Sequence, residues 1–216
     1  MQTTRIIAIR HGETAWNADT RIQGHLDIPL NPTGRWQAQQ LAKSLSAETL
    51  DAIYSSDLSR AFETASAISQ NHPELAGREP TQLPALRERC FGAFEGQTWS
   101  EVETQWPEQA QRWHSRDIDF SPEGGETLVE LHSRIESAVD SIAQQHPGQQ
   151  IALVAHGGVM DVLYRLATRL DLQAPRTWAL GNTAVNRLLW SPEGLSLVGW
   201  SDTRHLDQGS LDEAAA

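Results

Sequence analysis

The sequence predicts an α/β protein in three layers, α/β/α, with a mainly parallel central sheet that carries one antiparallel edge strand. Three observations predict it. The runs "RIIAIR", "DAIYSS" and "IALVAH" alternate with longer stretches whose apolar residues recur at helical spacing. "IALVAH" lacks polar alternation, as expected of a strand covered by helices on both faces. The chain closes with "AVNRLLWSPEGLSLVGW", two runs around Pro192, Glu193 and Gly194, a hairpin that supplies the antiparallel member.

Arg5 to Arg10, rich in β-branched residues, is the first strand. "AWNADTRIQGHLDIPLNPTG" is dense in Asn, Asp, Gly and Pro and reads as a long loop, of a length that usually carries function. Thr33 opens a helix with Ala38, Leu41, Ala42 and Leu45 on one face. After the strand "DAIYSS", Asp57 or a neighbouring serine caps a second helix with Leu58, Ala61, Ala65 and Ile68 inward. From about 80 to 125 the pattern is irregular, with two short helices divided by Pro107. A clear amphipathic helix follows, striped by Leu128, Leu131, Ile135, Ala138 and Ile142. Beyond "IALVAH" the last helix carries Val159, Val162, Leu163, Leu166 and Leu170. These elements form one domain over 1–205, with 91–125 as an insertion, and 206–216 as a flexible tail ending in "DEAAA".

At 216 residues, 39% hydrophobic and 21% charged, the composition is that of an ordinary globular protein. The apolar run before Arg10 is too short for a signal-peptide core, and no later one approaches membrane-spanning length. The single cysteine, Cys90, precludes an intrachain disulfide, so a cytoplasmic protein is expected. A net charge of −11 argues against nucleic-acid and anionic-membrane partners, yet a local arginine cluster can still hold a small anion. The closing hairpin offers an edge at which a second copy could pair, giving a homodimer.

Two strands end alike, in Arg10, His11 and Gly12 and in His156, Gly157 and Gly158. In α/β sheets ligands gather at the carboxyl ends of strands, so the two histidines can face one pocket. Arg60 falls in the first turn of its helix, where free backbone N–H groups already favour an anion. Arginine forks match the paired oxygens of a phosphoryl group. A metal held by the two histidines is the alternative, and the arginines beside them would repel it. Neutral imidazole is also a nucleophile, and a phosphoryl group on it can be passed on in a second, easier step. The leaving oxygen then needs a proton from a pocket carboxyl.

"RHGETAWN", "SDLSRAFETA", "LRERCFGAFEG" and "VAHGG" together resemble the successive signatures of the histidine phosphatase superfamily, whose best-known branch is cofactor-dependent phosphoglycerate mutase. The resemblance covers nearly the whole chain and implies a phosphoglycerate mutase-like fold. It implies that His11 is the phosphorylated nucleophile, with Arg10, Arg60 and His156 around the phosphoryl oxygens and Glu88 as acid and base. Asn17, Gln23, Gly24 and the Gly157 backbone match secondary positions around the phosphate, and no metal is required. The implied activity is a phosphomonoesterase acting on a small phosphorylated metabolite. A mutase, which would use 2,3-bisphosphoglycerate, and a non-catalytic phosphate-binding module are the alternatives. Trp99 stands where the mutases carry a lysine, and His114 and Ser115 beside Arg116 replace an arginine pair, which favours water as acceptor.

Cys90 reads as an inert small residue, and His25, His72, His114, His132, His146 and His205 as loop or polar-face residues without a special role. Trp99, Trp106 and Trp113 recur every seven residues. They pack two short helices together, or Trp99 serves a substrate-facing lid. A Trp-rich, cation-poor insertion suggests a ligand with an apolar or planar portion rather than a second strongly anionic group.

Overall fold

The structure, a computed structural model, describes residues 2–75 and 77–207. Strands β1 (Thr4–Arg10), β2 (Ala52–Ser55), β3 (Thr81–Gln82), β4 (Gln150–Ala155), β5 (Val185–Ser191) and β6 (Gly194–Asp202) form one sheet in the order β3-β2-β4-β1-β5-β6. β1, β2, β3 and β4 pair in parallel, while β5 pairs antiparallel with both β1 and β6. The antiparallel member is therefore β5, inside the sheet, and the edge strand β6 runs with the parallel set. The hairpin returns the chain once more than a single antiparallel edge strand requires.

Alternation along β1 builds the layers. Ile6 and Ala8 join Leu131, Ile135 and Leu163 on one side, and Ile7 and Ile9 join Leu41, Ala61 and Ile68 on the other. The first face is covered by α6 (Leu128–Ala143) and α7 (Gly157–Thr168), the second by α2 (Pro32–Leu45) and α3 (Ser59–Asn71). All six residues of β4 are buried, as its unbroken apolar run requires.

Local differences have local causes. The expected loop after β1 begins with a one-turn helix, α1 (Ala15–Ala18), closed by a capping box between Thr14 and Asn17. α2 starts at Pro32 rather than Thr33, because Asn31 caps it and proline is accommodated in the first turn. α3 has no cap from Asp57 or an adjacent serine. Leu58 is its N-cap, Asp27 accepts the Ser59 N–H at 2.7 Å from the loop before α2, and Asp57 instead pairs with Arg87 in a fork. In α6 the buried stripe runs through Val139, with Ala138 only half-buried. α7 ends at Thr168 with Arg169 left-handed, which leaves Leu170 41% exposed outside the helix. Leu206, expected in the tail, lies in a 3-10 turn, Arg204–Leu206, and residues 208–216 of that expected tail fall outside the described residues.

The insertion folds as α4 (Trp99–Gln105) and α5 (Pro107–His114), divided at Pro107 as expected. They enclose a small core of Ile22, Phe94, Val102, Ala110 and Phe120, against which Trp99, Trp106 and Trp113 pack. Among the described residues no helix is long and apolar enough to cross a membrane.

Candidate active site

Parallel register creates the site. Arg10 lies opposite Ala155 across β1 and β4, so the next residues, His11 and His156, leave the sheet side by side. Their ring centroids are 5.2 Å apart. β2, the other neighbour of β4, leads into α3 and brings Arg60 to the same end.

The backbone around His11 is fixed from several elements. Thr64 accepts the Gly12 N–H at 3.0 Å, and Asn182 donates to the His11 carbonyl at 2.8 Å. Gly34 approaches so closely that a Cβ there would lie 2.0 Å from the Glu13 carbonyl oxygen. The His11 ring places Nδ1 2.7 Å from the Gly12 carbonyl, which can only accept. Nδ1 therefore carries the proton and Nε2 the free lone pair.

Burial holds the His11 imidazole well below its ordinary pKa, and the charges of Arg60 and Arg10 add to this. The same causes, burial first and then Arg60, hold His156 well below its ordinary value. Both rings are neutral at pH 7. Burial also lowers Arg60 to about 10, which leaves it a cation. Its Nη1 and Nη2 donate to the carbonyls of Leu26 and Gly24 at 2.9 and 2.8 Å, and Arg10 donates to the Leu180 carbonyl at 2.6 Å.

Arg10 Nε, Arg60 Nε and both His156 ring nitrogens are buried without a hydrogen-bond partner. One of the two nitrogens of the neutral His156 ring donates; unpartnered buried donors are costly and rare, and three converging on one spot await an acceptor with several oxygens. A tetrahedral oxyanion of the phosphate type meets that need.

Glu88 stands across from them. Its carboxylate accepts the Gly158 N–H, at 2.9 and 3.1 Å to its two oxygens, and the Arg89 N–H at 2.9 Å. The start of α7 favours a negative charge there. A Cβ on Gly158 would lie 2.3 Å from Glu88 Oε1, so only glycine leaves the carboxylate its place.

Arg10, His11, Asn17, Gln23, Gly24, Arg60, Glu88 and Gly157 all line one cavity of about 880 Å³. His156 is 0% exposed and lies behind that wall against His11. Asn17 Oδ1 accepts the Thr14 N–H, Gln23 Oε1 accepts the Thr14 hydroxyl, and Gly24 contributes its carbonyl to Arg60. These three brace the clamp as well as facing the cavity. Trp99 and Trp113 pack the insertion and also line the cavity.

Several residues of the site escaped sequence reasoning. The Gly158 N–H binds Glu88, and Leu180 and Asn182 hold Arg10 and His11 from a segment without helical or strand pattern. His25, expected to be without a role, donates from Nε2 to the Glu88 carbonyl at 2.8 Å, and a ring nitrogen beside a loop carbonyl leaves no sequence signal. His114 lines the cavity beside Trp99. His72, at the end of α3 and expected in a loop or on a polar face, is 1% exposed and bonds the Glu48 carbonyl. The wall is also less poor in cations than the insertion suggested. Arg21, Arg89, Arg116 and Arg176 join Arg10 and Arg60, and Arg176 arrives from the loop after α7.

Comparisons with known proteins place the chain in a family. Residues 6–203 match the model of the histidine phosphatase superfamily (branch 1). The chain is 40% identical over 207 residues to phosphoglycerate mutase-like protein 4 of Arabidopsis thaliana, covering 94% of this chain and 87% of that protein. It is 36% identical over 209 residues to the metal-independent phosphoserine phosphatase of the same plant, covering 95% and 84%. A phosphoserine phosphatase mutant from Entamoeba histolytica, solved in complex with phosphoserine, superposes with a TM-score of 0.80 at 28% identity, covering 94% of this chain and 99% of that one. This chain belongs to the histidine phosphatase superfamily, branch 1, and its enzyme class is that of a phosphatase.

Proposed function

We propose that the protein hydrolyses a small phosphorylated metabolite, without a metal, through a phosphohistidine on His11. The observation that carries the reading is the convergence of a neutral, tautomerically fixed imidazole with buried, unpartnered donors from Arg10, Arg60 and His156. In the first step His11 Nε2 forms a bond to phosphorus as the ester P–O bond breaks, and protonated Glu88 gives its proton to the leaving oxygen. In the second, Glu88 as carboxylate takes a proton from water, water oxygen bonds to phosphorus, and the P–N bond breaks. Phosphate leaves, and His11 returns to its neutral form with Nδ1–H on the Gly12 carbonyl. The arginines hold the peripheral oxygens in both steps, and in a dry site such preorganised donors act strongly on developing charge.

A cavity of about 880 Å³ is within the range of small-molecule sites. The mutase reading has the names of several relatives in its favour, phosphoglycerate mutase-like protein 4 and the probable phosphoglycerate mutases GpmB among them. Against it, Trp99 occupies the position of the mutase lysine and is packed against Trp113 and His114. With water as acceptor, 2,3-bisphosphoglycerate is not required. A cytoplasmic place rests on the lone cysteine, Cys90.

The test is release of nitrophenolate from p-nitrophenyl phosphate in EDTA by the purified protein and by His11→Ala. Wild-type turnover with loss of activity in the variant is expected. Full activity in His11→Ala would end the proposal.

A further inference from the structure

We infer that Glu95, acting with the ring of His25, is a positioning residue for the hydrolysis. It straps the turn that holds Arg60 to the loop that carries Glu88, and so sets the distance between clamp and acid. This rests on the hydrolytic reading above and adds to it a residue outside the cavity on which the placing of the acid depends.

The two halves of the site come from distant segments. The clamp turn, Gln23 to Leu26, supplies the carbonyls of Gly24 and Leu26 to the Arg60 guanidinium. The acid loop, Glu88 to Phe91, is anchored elsewhere. Arg134 of α6 donates to the carbonyls of Ala85, Arg87 and Glu88, and Arg89 donates to those of Glu126 and Phe120. These bonds fix the acid loop to α6 and to the insertion, and none of them fixes it to the clamp turn.

Glu95 makes that connection. Its Oε1 accepts the His25 N–H from the clamp turn at 2.9 Å and the Phe91 N–H from the acid loop at 3.0 Å. The His25 ring closes the circuit, with Nε2 donating to the Glu88 carbonyl at 2.8 Å across 63 residues of sequence. Bonds from N–H groups to a carboxylate are roughly twice as strong as those to a neutral acceptor.

Gly24 shows how tightly the carboxylate is seated. Its φ is +52°, and a Cβ there would lie 2.1 Å from Glu95 Oε1. The carboxylate therefore lies against the very backbone whose carbonyl binds Arg60. Ile22 pairs with Gly96 and Gln97 through backbone bonds of 2.8 and 2.9 Å, which delivers Glu95 to this place. Its charge reaches the clamp as well. Burial lowers the Arg60 pKa, and Glu88, Asp27 and Glu95 oppose that lowering. Glu95 is not among the described residues that line the cavity, so it acts through these neighbours and does not itself give or take the proton.

The experiment compares kcat/KM for phenyl phosphate and p-nitrophenyl phosphate, which reports phosphoryl transfer to His11. Phenolate leaves poorly without a proton from Glu88, whereas nitrophenolate needs none. A displaced Glu88 therefore lowers the ratio of the first ester to the second, while a loss of folded protein lowers both alike and leaves the ratio unchanged. Glu95→Ala should reduce the ratio about tenfold, within the cost of a small misplacement caused from outside the reacting centre. Glu95→Gln should return it to within about threefold of wild type, because both bonds go to one oxygen and an amide oxygen accepts two. In Glu88→Gln the ratio is already low, and adding Glu95→Ala should lower it no further, the mark of residues that act as a unit. If Glu95→Ala does not fold, His25→Ala removes only the ring end of the strap and should lower the ratio in the same direction.

An unchanged ratio in folded Glu95→Ala or His25→Ala would overturn the inference alone. So would a ratio in Glu95→Gln as low as in Glu95→Ala, or a further fall on the Glu88→Gln background. Full activity in His11→Ala would overturn the hydrolytic reading, and this one with it.

Discussion

The imidazoles of His11 and His156 stand 5.2 Å apart at the carboxyl ends of adjacent parallel strands, both buried and both held neutral by burial and by Arg60. A histidine whose folded pKa is lowered refuses protons that the unfolded chain accepts. Its contribution to stability is therefore complete above about pH 6.5 and is lost as pH falls from there toward the lowered folded value. Nitrogen-resolved NMR of the histidine rings checks this. Both rings should stay neutral at pH 6.5, His11 as the Nδ1–H tautomer, and inorganic phosphate should raise both pKa values. Titration of either ring above pH 6.5 without phosphate would contradict the electrostatics described here.

Gly158→Ala separates site geometry from helix stability. Alanine is favoured over glycine in a helix by roughly 1 kcal/mol, so α7 itself should not weaken. The new Cβ would meet only the end of the Glu88 side chain, 2.3 Å from Oε1, and the carboxylate can swing away. Thermal unfolding should change little, while kcat falls by about tenfold to a hundredfold, the scale of a displaced general acid. Wild-type kcat in a folded Gly158→Ala protein would show that this contact does not position Glu88.

Phe94→Ala probes the insertion. Phe94 is 0% exposed and contacts Trp106, Trp113 and Phe120 in a core separate from the two that flank the sheet. Truncation should cost about 3–5 kcal/mol in denaturant unfolding, or unfold the insertion alone. Because Trp113 and Trp99 also line the cavity, KM should rise before the flanking cores are affected. A loss below about 1 kcal/mol would mean the insertion is not held by this cluster.

Much of this was readable in the chain because periodicity and strand ends are local signals. Ile6 to Ile9, the stripe of α2 and the run of β4 each declare a burial pattern within a few residues, and the Arg10, His11 and His156 positions follow from where those runs stop. β3 did not register, since two exposed residues, Thr81 and Gln82, have no pattern to read. Val139 was passed over for Ala138 because a drift of one residue, about 100°, along α6 cannot be phased from sequence. The cap of α3 was missed because Asp27 reaches it from a distant loop. The cations at the far end of the cavity were missed for a related reason. Arg176 belongs to a segment without periodicity, and Arg116 takes its meaning from Asp161, 45 residues away.

The central claim is that phosphate passes through His11, and the variant Glu88→Gln with p-nitrophenyl phosphate tests it most directly. Nitrophenolate leaves without needing a proton, so the first step should survive the substitution, whereas hydrolysis of the phosphohistidine lacks its base and should slow. The measurement is the mass of the His11 peptide after an alkaline quench during turnover, where phosphohistidine persists. One phosphoryl group on His11, formed as nitrophenolate is released, is the predicted result. Continued nitrophenolate release with His11 unmodified at every time point would contradict the account.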